Sequence, residues 1–385
     1  MVRAEFAKRA ATVAQAEQFA AIHAALREAR ANPEVFVVDI SARDAVAFVE
    51  RAAVADLAVR LGLAEHTVRQ QAHQALVLIQ RAPGVWSAFR DGDICSANAC
   101  TVADLAASLP NSPDAWAAFE HAVLGLAATL APARFRMRAR VAAESADPRP
   151  AADRHAREAE QRRVWMEPDR DGMCWFGAYL ATPAAHRAMA RINAMAVSLV
   201  AQPDEQRTLA QAQADVAADL LAGVLGSIGA AGVSVAVTVP VMTLLGVGEQ
   251  PGILDGYGPI DAETARRLAA HAPSFARILT HPVSSTVLDV DRTSYRVPAD
   301  LKRWLEVRDV ECAFPGCGRR ASGCDIDHTV AWADGGTTSA DNLAHLCRSH
   351  HRIKHKTSWR ATLTDSGMNW ASPTGFVRGA DPPPF

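Results

Sequence analysis

Four residues in the last quarter of the sequence have the types and spacing of a zinc site. Cys312 and Cys317 bracket the turn sequence FPG, and Cys347 precedes His350 by three residues. Thiolate and imidazole ligands hold Zn²⁺ in tetrahedral geometry, and a site with four protein ligands is structural. Such a site supplies folding free energy to a segment with few core residues. The sequence therefore predicts a structural Zn²⁺ bound by these four residues, with Cys324 as a spare buried or loop thiol.

A second set of polar residues in the same region is not needed for that zinc. Asp327 and His328 end the stretch CDIDH, and Asn342 and His351 follow. Asp and His are good ligands for a divalent cation, and a neutral histidine is the commonest general base near pH 7. Hydrolysis of a phosphodiester needs an activated water and a cation that stabilises developing negative charge. This set supplies both parts of that chemistry.

Residues 308 to 376, with DH, then Asn342, then His351, resemble the HNH (His-Asn-His) endonuclease family in its zinc-stabilised branch. The resemblance implies a small ββα-metal domain around one catalytic cation, Mg²⁺ or another divalent ion. It further implies that Asp327 and His351 bind this cation and that His328 takes a proton from the attacking water. Asn342 would fix the loop and orient His328.

The sequence departs from the pattern of that branch at one position. The branch ends in C-x-x-C-H, whereas CRSHH places His350 at the second cysteine position. Because an α-helix turns about 100° per residue, His350 and His351 point in different directions and are predicted to serve two different metals. No role is assigned to His345. For His355 a phosphate contact or a ligand role stays open, although the solvated end of a cation-rich helix is the favoured interpretation.

The resemblance continues upstream of the nuclease-like segment. GILDGYGPIDAETARRLA and WASPTGF are similar to stretches of actinobacterial proteins that join a helical domain of unknown function to this nuclease domain. The predicted fold class is a mainly α region with a few strands (α+β), followed by the ββα-metal domain. The predicted division is 1–295 for the helical domain, 296–376 for the nuclease domain and 377–385 for a flexible tail.

Three functions fit these observations. The first is a metal-dependent endonuclease that acts on double-stranded DNA. The alternative is a zinc-stabilised nucleic-acid-binding protein without catalysis, which the presence of the complete Asp/His/Asn/His set disfavours. A partner-binding or regulatory role of the helical region is compatible with either. The sequence predicts no oligomeric state.

The elements before the site are predicted mainly as helices, since residues 1 to about 145 are rich in good helix formers. Two helices around Gly62 superficially resemble a helix-turn-helix, but an ordinary hairpin with Leu57, Leu61, Leu63 and Val68 in the core is favoured. The arginines of RFRMRAR (134–140) are expected on a solvated helix face rather than on phosphates.

Further along, a β-hairpin is predicted at 162–180, a strand at 233–241 and a helix after the N-cap Asp261. Short segments around Val287 and Tyr295 are expected to be strands or extended linker.

The charge of the chain bears on nucleic-acid binding only in one segment. The formal net charge of −2 over 385 residues gives no global attraction to nucleic acid, although a local patch is sufficient. Between 301 and 360, ten Lys and Arg stand against seven Asp and Glu.

Membrane insertion and secretion are not predicted. The uncharged stretch 220–248 is interrupted by glycines, takes the period of a strand and lacks basic flanks, so a soluble helix end and a buried strand are expected. The first thirty residues carry charges throughout, unlike a secretory signal. The seven cysteines are an odd number, which favours reduced thiols and the cytoplasm.

Overall fold

The computed structural model describes residues 2–41, 43–169, 173–202, 204–222, 237–254, 258–270, 297–364 and 367–381. It divides into two compact units, one formed by 1–148 together with 277–385 and the other by 149–276. The division of the chain at residue 295 stays a prediction.

The first part of the first unit is built from helices, with prolines in the first turn of several of them. Their bounds are α1 Val2–Ala31, α2 Pro33–Phe36, α3 Ala45–Leu61, α4 Glu65–Arg81, α5 Pro83–Arg90, α6 Ser96–Ser108, α7 Pro113–Thr129 and α8 Pro132–Ala146.

The predicted hairpin of helices is confirmed in α3 and α4. Gly62 ends α3 with a φ of 64°, a left-handed conformation that costs glycine little. Val68 is fully buried, as expected, but Leu61 is 45% exposed, so its predicted core position is wrong. All four arginines of RFRMRAR are exposed on α8, whose buried face is formed by Phe135, Ala139 and Ala143.

The second unit is mixed. Its elements are α9 Ala151–Glu160, β1 Arg163–Pro168, β2 Cys174–Tyr179, α10 Thr182–Val200, α11 Leu209–Ala222, β3 Val237–Thr238, α12 Val241–Leu244, β4 Gly252–Leu254, β5 Gly258–Ile260 and α13 Ala262–Ala270. Strands β1 and β2 pair antiparallel, which confirms the predicted β-hairpin. The Asp261 carboxylate accepts a hydrogen bond from the Thr264 backbone N–H at 2.9 Å and so caps α13 as expected.

The last part of the chain belongs to the first unit. Its elements are α14 Ala299–Asp309, β6 Asp325–His328, β7 Leu343–Leu346, α15 Arg348–Lys356, β8 Arg360–Thr364, β9 Gly367–Ala371 and β10 Val377–Gly379. Antiparallel β6 and β7, followed by α15, form a strand–strand–helix arrangement. Because β10 pairs with β9, the tail expected to be flexible from residue 377 begins instead as a paired strand.

A shared hydrophobic core joins helices α1 to α4 to this last part of the chain. Phe314, Leu346, Ile353, Trp359 and Trp370 are buried in one cluster with the apolar faces of these helices. The Trp359 indole N–H donates to the Ala52 carbonyl of α3 at 3.2 Å. The strand–strand–helix segment therefore packs on the helical bundle, while Leu301, Leu305 and Leu343 form a smaller cluster between α14 and β7.

The described residues form a mainly helical structure with small antiparallel sheets, which confirms the α+β class. Within them, no helix combines the length and apolar character needed to cross a bilayer. The predicted strand at 233–241 is seen only at its end, in β3, because 223–236 lie outside the described residues. The segments around Val287 and Tyr295 lie outside them as well.

Candidate active site

The predicted zinc ligands come together at the base of α15. Cys312, Cys317, Cys347 and His350 each direct one ligand atom into a cluster whose atoms all lie within 4.8 Å of one another. The His350 Nδ1 is 3.3 Å from the Cys347 Sγ and 3.5 Å from the Cys312 Sγ. Zn–S and Zn–N bonds of about 2.3 and 2.0 Å at tetrahedral angles place such atoms about 3.5 Å apart. The donor set and its spacing fit Zn²⁺.

Cys347 lies just outside α15, at its N-cap position. A strand, β7, occupies the residues directly before it. The backbone N–H of Cys347 donates to the Cys312 Sγ at 3.2 Å. Hydrogen bonds from Cys312 and Cys317 lower the pKa of the Cys347 thiol below its ordinary value. Cys347 is therefore held as a thiolate, the form that binds metals, whereas the neighbouring thiols and burial raise the pKa of Cys312 and Cys317.

A glutamate from the helical bundle completes the surroundings of the zinc cluster. Glu65, the first residue of α4, lies with its Oε1 2.7 Å from the Nε2 of His350. The imidazole also stacks on Phe314, with the ring centroids 4.0 Å apart. Burial opposes protonation, but hydrogen bonds to Cys317, Cys347 and Glu65 raise the pKa of His350 to about 11. A carboxylate on the outer nitrogen of a ligating histidine fixes its tautomer and orientation.

The second cluster lies where β6 meets α15. The Asp327 Oδ1 is 3.2 Å from the Nε2 of His351 and 3.1 Å from the Nε2 of His355, and the three side chains form a group able to hold a cation. The Nδ1 of His351 is 3.5 Å from the Asp325 Oδ2. Since oxygen and imidazole ligands suit a divalent cation, this cluster has the donors expected of a catalytic metal site.

Lys354 places a positive charge beside this cluster, and two hydrogen bonds hold its ammonium group there. Lys354 donates to the Asp327 Oδ2 at 2.5 Å and to the His328 carbonyl at 2.6 Å. Burial opposes ionisation of Asp327, but the hydrogen bonds and charges of Lys354 and His355 hold the pKa of this carboxyl below its usual value. Asp327 is therefore ionised at neutral pH and available as a ligand.

His328 is the next residue on β6 and is 8% exposed. Its Nε2 lies 3.1 Å from the Thr338 hydroxyl. Burial lowers the pKa of His328 and the charge of Lys354 adds to this, while Asp327 opposes it, and the net pKa is below the ordinary value. A neutral imidazole at pH 7 is able to accept a proton.

The side chain of Asn342 holds the loop between β6 and β7. Its Oδ1 accepts from the Val330 N–H at 2.9 Å, and its Nδ2 donates to the Val330 and Thr337 carbonyls at 3.1 and 2.9 Å. These contacts fit the predicted loop-fixing role. The hydroxyl that meets the His328 ring comes from Thr338, a residue that sequence reasoning did not select.

Two family models match the sequence of the chain. One, described as a domain of unknown function (DUF222), matches residues 6–309, and the other, described as HNH endonuclease, matches residues 311–357. The chain belongs to the DUF222 family. It carries an HNH domain directly after the DUF222 region, which confirms the family resemblance and the predicted C-terminal domain.

Curated relatives match part of the DUF222–HNH chain. Uncharacterized protein Rv3776 of Mycobacterium tuberculosis is 33% identical over 132 residues, which cover 34% of this chain and 24% of the relative. Uncharacterized protein Rv2100 of the same species is 40% identical over 90 residues, covering 23% of this chain and 16% of the relative. The matches thus span a quarter or less of these relatives. No solved structure matches the chain.

Two residues near the HNH site were not assigned to it from the sequence. For His355 a solvated helix end was favoured and a ligand role was left open, and its ring reaches Asp327. Its spacing of four from His351 places both on one helix face and is the signal that identifies it. Glu65 carried no such signal, because 285 residues separate it from His350.

The remaining residues near the site have structural contacts. His345 donates its backbone N–H to Asp309, and its ring Nδ1 lies 2.8 Å from the same carboxylate, so the residue ties β7 to α14. Cys324 is half-buried and lies near the Arg320 carbonyl, as expected of a spare thiol.

Proposed function

We propose that this DUF222–HNH protein is a metal-dependent endonuclease that hydrolyses phosphodiester bonds of double-stranded DNA. The carrying observation is the cluster of Asp327, His351 and His355 at the end of β6, the strand on which His328 directly follows Asp327. A cation site next to a neutral imidazole is the arrangement that hydrolysis of a phosphodiester requires.

In this proposal each residue of the site has its own role. Asp327, His351 and His355 hold a divalent cation such as Mg²⁺, which stabilises negative charge on the phosphate and the leaving oxygen when bound. His328 accepts the proton of the attacking water at its ring nitrogen, and its burial keeps that nitrogen unprotonated at neutral pH. Asn342 holds the loop that carries Thr338 and so acts as a positioning residue.

The zinc cluster has a separate role in the proposal. Cys312, Cys317, Cys347 and His350 hold a structural Zn²⁺ that fixes the start of α15 against the loop between α14 and β6. The helix in turn presents His351 and His355 to β6. None of the seven cysteines forms a disulfide, which is consistent with a protein that works in the cytoplasm.

Incubation of supercoiled plasmid with the purified protein tests the proposal. Mg²⁺ or Mn²⁺ should support nicking or linearisation, and omission of added divalent metal should prevent it. Salt-dependent DNA binding without cleavage in any divalent metal would identify a zinc-stabilised binding protein instead. Sequencing of the cut ends then reports the target preference.

A further inference from the structure

A cleft of about 640 Å³ lies in the first unit, where α15 of the HNH domain meets α3 and α4 of the DUF222 region. Four arginines contribute to its walls. Two of them come from α15 and one each from α3 and α4: Arg348, Arg352, Arg51 and Arg69. Ser349, in the first turn of α15, lines it too.

The carboxylates near the cleft do not neutralise all of these cations. Arg69 pairs with Glu65 at 2.6 Å, and Arg352 meets Asp44 at 3.5 Å with both side chains half exposed. Glu50, the acidic residue of the lining, is paired with an arginine outside the cleft, at 2.8 Å.

In the part of the chain that the structure describes, neither Arg51 nor Arg348 has an ion-pair partner, so the cleft carries excess positive charge. Its natural ligand is therefore an anion.

Two of the guanidinium groups are held by an aromatic ring. Those of Arg51 and Arg352 lie 5.4 and 4.9 Å from the centroid of Phe48, which is itself buried in the core. Stacking on a ring restricts a guanidinium and leaves its N–H groups free to donate. Guanidinium groups fixed in this way suit phosphate oxygens, which they bind through paired hydrogen bonds.

The cleft adjoins the candidate catalytic cation site on the same helix. Arg348 and Arg352 share one face of α15, and His351 and His355 share a face about 60° further round. Arg348 precedes His351 by three residues, about 4.5 Å along the helix axis. An anion in the cleft would lie beside the group being cleaved.

We propose that this cleft binds a backbone phosphate of duplex DNA that flanks the cleavage site, so that α3 of the DUF222 region forms part of the DNA-binding surface. The inference rests on the proposed function. The cleft is open to solvent, and Arg348 at its edge is exposed, as binding to a continuous strand requires. The proposed ligand is a phosphodiester of DNA. A free phosphoryl anion would use the same contacts, and the experiment distinguishes the two ligands.

Binding of a labelled duplex without added Mg²⁺, measured as a function of salt concentration, tests the cleft. The double variant Arg51→Gln with Arg348→Gln should bind about tenfold more weakly, because charge-assisted hydrogen bonds are lost. Its plot of log affinity against log salt should be shallower by about 0.9, the loss of one phosphate contact. Arg51→Lys with Arg348→Lys retains the charge and should keep most of the slope.

Arg90→Gln is the matched control, because Arg90 is an exposed arginine of the same unit on α5 and away from the cleft. It should bind DNA as the wild type does. Zinc content and the circular dichroism spectrum establish that each variant is folded, and the single variant Arg348→Gln, at an exposed position, replaces a double variant that is not folded.

An unchanged salt slope in the folded double variant overturns the proposal. The proposal is also overturned if the double glutamine variant loses binding of inorganic pyrophosphate but binds the duplex as the wild type does. The cleft would then be a site for a free phosphoryl anion. If the wild type cuts plasmid but the salt slopes of the wild type and the double glutamine variant agree, only the assignment of the cleft is wrong. If the wild type neither binds nor cuts duplex DNA, the proposed function falls and the cleft proposal falls with it.

Discussion

Two adjacent histidines at the start of α15 face different clusters. His350 turns to the cysteines and is 5% exposed, whereas His351 turns to Asp327 and is one-third exposed at its side chain. The cause is the helical rotation of about 100° per residue, which forbids neighbours from sharing one small ion. One imidazole therefore belongs to the fold and the next belongs to the candidate cation site.

Alanine substitutions should separate these two histidines. His350→Ala removes a buried ligand, so zinc should be lost and the first unit, which contains the HNH domain, should unfold at room temperature or melt far lower. His351→Ala should leave a folded protein with one Zn²⁺ per chain and cleavage reduced at least a hundredfold. Zinc content, circular dichroism and plasmid cleavage measure the three properties, and equal zinc loss in both variants would contradict the assignment.

At this scale the sequence predicted much of the site. His350 and His351 were assigned to different metal sites because a helix fixes the relative directions of neighbouring residues. A ligand role for His355 was left open but not favoured, because a histidine among Arg and Lys resembles a solvated helix end, and Asp327, which it meets, is 28 residues away. Glu65 was missed because tertiary packing alone brings it to His350.

Among the elements, α4 and α15 are joined through a single polar contact at the zinc cluster. The carboxylate of Glu65 accepts from Arg69 on its own helix and lies 2.7 Å from the imidazole of His350. Burial raises the pKa of Glu65, but His350 and then Arg69 hold it below the usual value, so the group is ionised. The first turn of α4 therefore orients a candidate zinc ligand of the HNH domain.

Loss of this carboxylate should weaken zinc binding. Glu65→Ala is expected to lower zinc affinity 10- to 100-fold, the usual effect of removing the carboxylate partner of a ligating histidine. Competition with a chromophoric chelator measures the affinity, and the spectrum of the Co²⁺-substituted protein reports the ligand geometry. Glu17→Ala, at an exposed position of α1, is the control. Equal affinities in the two variants would show that Glu65 only packs there.

On the scale of the molecule, the HNH segment and helices α1 to α4 share one core, which the sequence did not predict. Residues 296–376 were predicted as a separate metal-stabilised domain, the finger, yet Phe314, Trp359 and Trp370 pack together and are buried against α3 and its neighbours. Periodicity reveals which face of a helix is apolar but not which distant segment covers it. The bundle and the finger should therefore unfold together.

Trp359→Ala tests this shared core. Truncation of a buried tryptophan should lower the free energy of unfolding by about 3–5 kcal/mol. Urea denaturation measures the loss, and hydrogen exchange should become faster in both α3 and α15. Trp332→Ala is the control, since Trp332 is 38% exposed, and it should cost less than about 1 kcal/mol. Faster exchange in α15 alone would show that the finger folds independently.

Plasmid cleavage by His328→Ala in the presence of Mg²⁺ tests the central claim most directly. General-base catalysis contributes about 10²- to 10⁴-fold, so this variant should be folded, zinc-loaded and slower by that factor. His121→Ala, which removes an exposed imidazole on α7, should cut at the wild-type rate. If His328→Ala cuts plasmid as fast as the wild type, His328 is not the base and the proposed site is wrong.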